Sequence, residues 1–346
     1  MKVNLRQLKK TGIVDSLKGQ KLLIYGGNSL GKTLVASQFD KALLLMTEMG
    51  GNAADCDKTP VTDWVAFKDM VKQLTSEKVD KEDEKHRKEW ETMQDMYEVI
   101  IIDTLSDLVE MAEKQTCTEF GVRDLSEIED TRKNGYSIYR KDFKDTVNRL
   151  CQFGYFVIFI DHEEYEDRID AKGKKYQYMQ PKGSGNKKGS TRFVRDICDF
   201  TVCVKSSGVD ENYKLIPSYG VCLETKDTFA RSRYEEIRPT IPVFSKENLE
   251  KTLLDAIRDT AEKKKMGLTQ WEKKDMDDKA EDLIGMIQPY FKATMKKFPD
   301  TVLEIVSDEL GEGKKISECT DEDVTQLKNI YNKLSTFCSN QNITVE

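Results

Sequence analysis

Short, continuously apolar runs alternate with helical patterns along the first two thirds of the chain. Residues 21–25 form a short, mainly apolar run that leads into glycines, which reads as a buried strand; residues 31–39 then read as a helix and 42–46 as a second strand. Trp64, Phe67, Met70, Val71 and Leu74 recur at helical spacing. Residues 99–102 and 155–160 are apolar throughout and end in Asp103 and Asp161, the pattern of parallel strands buried on both faces. Helical patterns around 105–117 and 136–153 lie between them, and 200–204 and 219–223 supply further strands. Strand alternating with helix predicts an α/β fold whose mainly parallel sheet is flanked by crossover helices.

The character changes past residue 258. Charge-dense stretches at 262–265, 275–281 and 318–323 frame two helical patterns: Leu283, Met286 and Ile287, then Leu327, Ile330, Tyr331 and Leu334. Only 302–306 has any strand character there. The expected division is an N-terminal arm over 1–18, an α/β core over 19–257 and a small, mainly helical, charged C-terminal region over 258–346. Residues 77–95 are almost wholly charged and read as a solvated helix or an exposed insertion.

At 346 residues with 38% hydrophobic content, the chain is long enough for one large domain and a smaller one. No apolar run reaches the roughly 18 residues that cross a bilayer. Residues 1–8 lack the apolar stretch of a secretory signal, so a cytoplasmic protein without membrane attachment is expected. The eight cysteines include no CxxC pair, and reduced, structural thiols are the expectation. A net charge of −7 conceals a strong local contrast. From Arg168 to Arg195 nine basic residues face a single acid, Asp170, which gives that segment +8 and the remainder −15.

Gly26-Gly27-Asn28-Ser29-Leu30-Gly31-Lys32-Thr33 satisfies GxxxxGK(S/T), directly after a strand and opening a helix. Such glycines let backbone N–H groups turn inward around phosphate oxygens, and the helix N-terminus adds its positive dipole end. Lys32 is placed to reach the β- and γ-phosphates of ATP, and the Thr33 hydroxyl to coordinate Mg2+. Asp103, closing a central strand, is expected on the magnesium side of the same site, although a strand ending in aspartate is common in itself. Glu48, in Thr47-Glu48-Met49-Gly50-Gly51 at the end of the second strand, can activate the water attacking the γ-phosphate, or merely cap a loop.

This succession (phosphate loop, strand-Thr-Glu-Met-Gly-Gly, strand-Asp-Thr, strand-Asp-His) resembles the ATPase core of RecA-type recombinases. It is most similar to the short phage-encoded RecA-like ATPases of the nucleotide-binding and single-strand-annealing kind, over about residues 18–245. The resemblance implies a RecA-like P-loop NTPase core, Mg-ATP hydrolysis, single-stranded DNA as a partner, and a homo-oligomeric ring or filament. Carried over residue by residue, Glu48 becomes the catalytic glutamate and Asp103 the magnesium-side acid. His162 becomes the γ-phosphate sensor where the bacterial recombinases have glutamine; an imidazole can donate to a phosphate oxygen, and a lone histidine can equally be structural. The mobile DNA-binding loop falls on residues 179–193, with Lys182, Lys187, Lys188 and Arg192 for backbone phosphates. Phe193, with Tyr176 and Tyr178, offers stacking faces for unpaired bases. A charged loop without a ligand is the plain alternative, and part of this charge can lie in a hairpin over 167–178. Arg231 and Arg233 resemble the basic pair that reaches a neighbouring subunit's ATP as an arginine finger does, or are ordinary surface arginines.

Two other functions remain open at this level. One is a P-loop kinase for a small metabolite, with arginines from 168–195 forming a lid. The other is a nucleotide-switched interaction module whose helical tail recruits partners while hydrolysis is slow; in the recombination reading, 258–346 is instead where a recombination or replication protein would bind.

Overall fold

The computed structural model describes residues 12–48, 50, 53–75, 93–128, 134–186, 189–214, 216–269, 280–295, 297–311, 313–320 and 323–340. The chain packs as two compact units, one within Thr11–Lys273 and one within Lys274–Glu346. No helix among the described residues is long and apolar enough to cross a membrane.

In the larger unit the chain runs β1 (Ile13–Val14), β2 (Lys21–Gly26), α1 (Lys32–Ser37), β3 (Ala42–Met46), β4 (Asp57–Pro60), α2 (Trp64–Leu74), α3 (Met93–Met96), β5 (Val99–Asp103), α4 (Leu105–Phe120) and α5 (Gly135–Gln152). It continues through β6 (Phe156–Asp161), β7 (Glu163–Ile169), β8 (Lys175–Pro181), α6 (Ser190–Ile197), β9 (Phe200–Lys205), β10 (Tyr219–Val221), β11 (Arg231–Ser232), β12 (Thr240–Ile241), α7 (Lys246–Lys263) and β13 (Leu268–Thr269). The central sheet has the order β12-β10-β9-β2-β6-β5-β3-β4, with β11 also on β9.

From β4 across to β9 every pairing is parallel, but β10, β11 and β12 are antiparallel to their neighbours. The sheet is therefore mixed, which corrects the mainly parallel sheet expected from the sequence. The reason lies in the connections. A parallel neighbour needs a long crossover, usually helical. After β9 the chain turns back through the loop around Asp210–Lys214, with no helix between, and pairs antiparallel.

Strands in the parallel run send alternate residues into two separate cores. Leu22, Ile24, Val99, Ile101, Phe156 and Ile158 face one, with Val35 of α1 and Leu249, Leu253, Ala256 and Ile257 of α7. Leu23, Ile100, Ile102, Val157 and Phe159 face the other, covered by α2, α4 and α5 through Trp64, Phe67, Leu108, Phe143 and Val147. Because both faces are dry along 22–24, 99–102 and 156–160, those stretches carry no polar residue and read as unbroken apolar segments, whereas the edge strand β4, Asp57-Lys58-Thr59-Pro60, is mostly exposed and polar.

α7 crosses the expected boundary at residue 258, and its apolar side closes the first core, so residues 258–263 belong with the sheet. The described part of the expected N-terminal arm is also in this unit: β1 pairs in parallel with β13, and Leu17 is a core residue. The charged stretch read over 77–95 lies outside the described residues up to 92; α3 forms its end.

The smaller unit consists of α8 (Ala280–Met295), α9 (Pro299–Leu310) and α10 (Val324–Asn340), packed around Leu283, Ile287, Val302, Leu327, Ile330 and Leu334. The strand character seen at 302–306 is overturned. Pro299 opens a helix there, and Val302, Ile305, Val306 and Leu310 lie at helical spacing on its packed side.

Candidate nucleotide site

Register alone gathers the chemistry at one edge of the sheet. Met46 stands opposite Asp103, Asp103 opposite Ile160, Tyr25 opposite Asp161, and Gly26 opposite Val204. The phosphate loop, Glu48, Asp103 and His162 thus all follow or close the carboxyl ends of adjacent parallel strands, where open α/β sheets bind ligands.

β2 passes into the loop at Gly26, where a Cβ would lie 2.2 Å from the Val204 carbonyl oxygen, so only glycine fits against β9. The loop then enters α1 at Lys32. The Lys32 ammonium is buried and donates to the carbonyls of Gly26 at 2.8 Å and Gly27 at 2.7 Å. Burial pulls its pKa below the ordinary lysine value, opposed by the carboxylates of Asp103, Glu163, Asp161 and Glu48 around it. An ammonium held inside the loop by carbonyl acceptors can turn to phosphate oxygens, which offer the same acceptor chemistry with full charge.

The Thr33 hydroxyl donates to Asp103 Oδ2 at 2.5 Å, so the two residues expected to hold magnesium are already joined. Burial raises the Asp103 pKa; the hydrogen bond from Thr33 opposes this and the charge of Glu48 adds to it. Mg2+ usually binds through one or two protein oxygens plus phosphates and waters, and a hydroxyl with an adjacent carboxylate fits that donor set. Among the described residues no group of three His, Cys, Asp or Glu side chains is arranged to hold a metal without a nucleotide.

Thr47, whose side chain the sequence reading did not use, fixes Glu48 relative to Asp103. Its hydroxyl accepts from the Thr104 N–H at 2.6 Å and donates to the Thr104 carbonyl at 2.8 Å, while its own N–H donates to the Asp103 carbonyl at 2.8 Å. Glu48 is then presented to His162, with Oε2 lying 3.4 Å from Nε2. Asp161 is fully buried: one carboxylate oxygen accepts from the His162 N–H at 2.9 Å and the other has no partner among the described residues. Burial pushes its pKa up to about 7.

A further acid, Glu163, was missed. Its carboxylate lies 3.4 Å from where a Cβ of Gly27 would stand, close enough to act on Lys32. The signal was available: Glu163 and Glu164 directly follow the strand-ending Asp161-His162.

The basic segment is brought to the same edge only in part. The Lys182 N–H donates to the His162 carbonyl at 2.9 Å, so the loop starts beside His162. The Lys182 ammonium projects outward, 4.0 Å from Glu110. Lys187 and Lys188 lie outside the described residues. Arg192 faces Asp196 at 3.6 Å. Phe193 packs against the second core with the Lys144 ammonium 5.0 Å from its ring centroid, which leaves less of it for a base than an exposed loop residue would offer. Tyr178 is buried, bonded to Glu224 and covered by the Arg168 guanidinium at 3.4 Å, so its face is already occupied. The hairpin read over 167–178 is present as β7 and β8, paired from Glu163 opposite Pro181 to Ile169 opposite Lys175.

Arg231 and Arg233 are not near this site. β11 pairs with the opening residues of β9, Arg231 with Thr201 and Ser232 with Phe200, whereas Gly26 meets Val204 at the other end. Arg233 is held by Asp199 at 3.3 Å and donates to the Ile197 carbonyl at 3.1 Å. An arginine acting on ATP from that edge would have to serve a different copy of the chain.

The sequence profile of the family described as AAA domain matches residues 18–234, the stretch from just before β2 to just past β11. The SPbeta prophage-derived uncharacterized protein YorG of Bacillus subtilis (strain 168) is 30% identical over 332 residues, covering 93% of this chain and 94% of its own length.

Proposed function

The chain belongs to the AAA-domain family of P-loop NTPases, and from that premise we propose that it hydrolyses Mg-ATP and uses the nucleotide to set a single-stranded-DNA-binding loop in phage-type recombination, annealing or replication. The observation that carries this reading is the continuous path from Glu48 through His162 to the backbone of Lys182. The prophage origin of its Bacillus subtilis relative supports the phage setting.

In this reading Lys32 holds the β- and γ-phosphates, and Thr33 and Asp103 hold Mg2+, which supplies positive charge to the phosphate oxygens as charge develops. Glu48 takes the proton of the attacking water, and Thr47 keeps that carboxylate in line. His162 reports on the γ-phosphate by exchanging its Glu48 contact for a phosphate oxygen. Copies of the chain assemble so that Arg231 and Arg233 of one reach the ATP of the next, and the helical unit contacts a recombination or replication partner.

Hydrolysis is favoured over transfer to a metabolite because the arginines available for a lid are engaged. Arg168 stacks on Tyr178, Arg195 is buried against the Phe229 ring at 4.4 Å, and Arg192 faces Asp196. The test is ATPase activity with and without single-stranded DNA, across a salt series. Stimulation, with affinity falling steeply as salt rises, is expected; no DNA binding and an unchanged rate would refute the reading.

A further inference from the structure

We propose that Glu164 is a positioning residue that clamps the basic loop to the sensor strand, so that Lys182 follows the state of the nucleotide site; this rests on the DNA-binding reading above. Two residues beyond His162, its carboxylate accepts from the Gln180 side-chain amide at 2.9 Å, the Gly183 N–H at 2.8 Å and the Gly185 N–H at 3.1 Å. With the bond from the Lys182 N–H to the His162 carbonyl, these make four hydrogen bonds between residues 180–185 and 162–164 besides the strand pairing of Gln180 with Glu164.

The clamp occupies the end of the β7–β8 ladder. The last strand pair sets Glu163 opposite Pro181, and past it a single backbone bond, from the Lys182 N–H to the His162 carbonyl, joins the two segments before the side chain takes over. A carboxylate accepting three N–H groups holds more firmly than neutral ladder bonds do. The fit is close: a Cβ on Gly185 would lie 2.9 Å from Gln180 Nε2 and 3.3 Å from Glu164 Oε1. Gln180 and Ser184 are buried, so the described start of this loop is packed down, in contrast to the mobile loop expected from its glycines. A movement of the β6 end when His162 meets a γ-phosphate therefore reaches Lys182 through backbone atoms and one fixed carboxylate.

Glu164→Gln keeps the shape and one acceptor oxygen but turns an N–H against a loop N–H. Gly185→Ala presses on the same clamp from the loop side. Binding of a labelled single-stranded oligonucleotide is measured by fluorescence anisotropy on the full chain, with and without a non-hydrolysable ATP analogue. The analogue should tighten wild-type binding, and both variants should lose about tenfold of that gain, equivalent to about 1.4 kcal/mol. ATP hydrolysis without DNA should stay at the wild-type rate, which a loss of general structure would not permit. Full analogue-dependent tightening in both variants overturns the clamp. If wild type binds no single-stranded DNA, the DNA reading falls, and amide hydrogen exchange judges the clamp alone. An analogue-induced change in protection at Gly183 and Gly185 that Glu164→Gln abolishes supports it, and no such change in wild type overturns it.

Discussion

Replacing Thr47 by valine isolates the staple that sets Glu48 against Asp103. The side chain keeps its volume and branching but loses both hydroxyl bonds to Thr104, a residue with no solvent exposure. Leaving the buried Thr104 N–H without its acceptor costs about 1–3 kcal/mol, since water cannot take the hydroxyl's place. Melting should therefore fall by about 2–4 °C for each kcal/mol lost. The larger effect is on rate. Glu48 follows Thr47 directly, so freeing this strand end lets the carboxylate drift, and a misplacement of about 1 Å can cost on the order of a hundredfold in catalysis. Lys32, Thr33 and Asp103 keep their own contacts, so nucleotide affinity should hold. Steady-state hydrolysis over a range of ATP concentrations, with binding of a fluorescent ADP analogue, reads the two effects apart: kcat falls, affinity stays, and Thr47→Ser restores the rate. A valine variant with wild-type kcat, or a serine variant as slow as the valine one, would refute the reasoning.

Three further outcomes are expected. Burial pushes Asp161 up to about 7 from its ordinary 3.8, so between those values the folded chain holds a proton that the unfolded chain has released. Its stabilising contribution is complete below about pH 4 and is lost as pH rises to about 7. Asp161→Asn keeps an acceptor for the His162 N–H and should raise stability by at most about 4 kcal/mol above pH 7 and much less at pH 5; denaturant melts giving equal gains at the two pH values would contradict this. Lys32→Ala should abolish binding of the fluorescent nucleotide and, with it, the nucleotide-dependent part of DNA affinity; ATP-dependent DNA affinity at the wild-type level would break the proposed link. Arg231→Ala with Arg233→Ala should regain hydrolysis when mixed with the Lys32→Ala chain, because an intact phosphate loop then meets intact arginines across an interface. A mixture no more active than its parts would leave these arginines with the local role that Asp199 already gives Arg233.

The phosphate loop was readable because its chemistry is local. Gly26 to Thr33 need only one strand, one turn and one helix, all contiguous, and Asp103 announced itself as a charge closing an apolar run. The same logic located β2, β3, β5, β6 and β9, since burial on both faces leaves few polar positions to interrupt them, but not the exposed, polar edge strand β4. It failed at β10 to β12, where strand direction depends on how the chain returns rather than on which residues are apolar. It failed again at Val302 to Val306, whose β-branched residues suit a strand until α8 and α10 present a surface for a helix.

What the sequence determined by itself is a nucleotide-binding edge and the set of charged residues available to it. Only the tertiary structure decided how those residues are spent. It joined Thr33 to Asp103 across the sheet, set Glu48 facing His162, turned Tyr178 and much of Phe193 inward, and carried Arg231 and Arg233 to the far end of β9. Thr47 and Glu164 gained their contacts in the same way. Each is an unremarkable residue in the chain, and each becomes specific when a partner from a distant or returning strand supplies the N–H groups it accepts from.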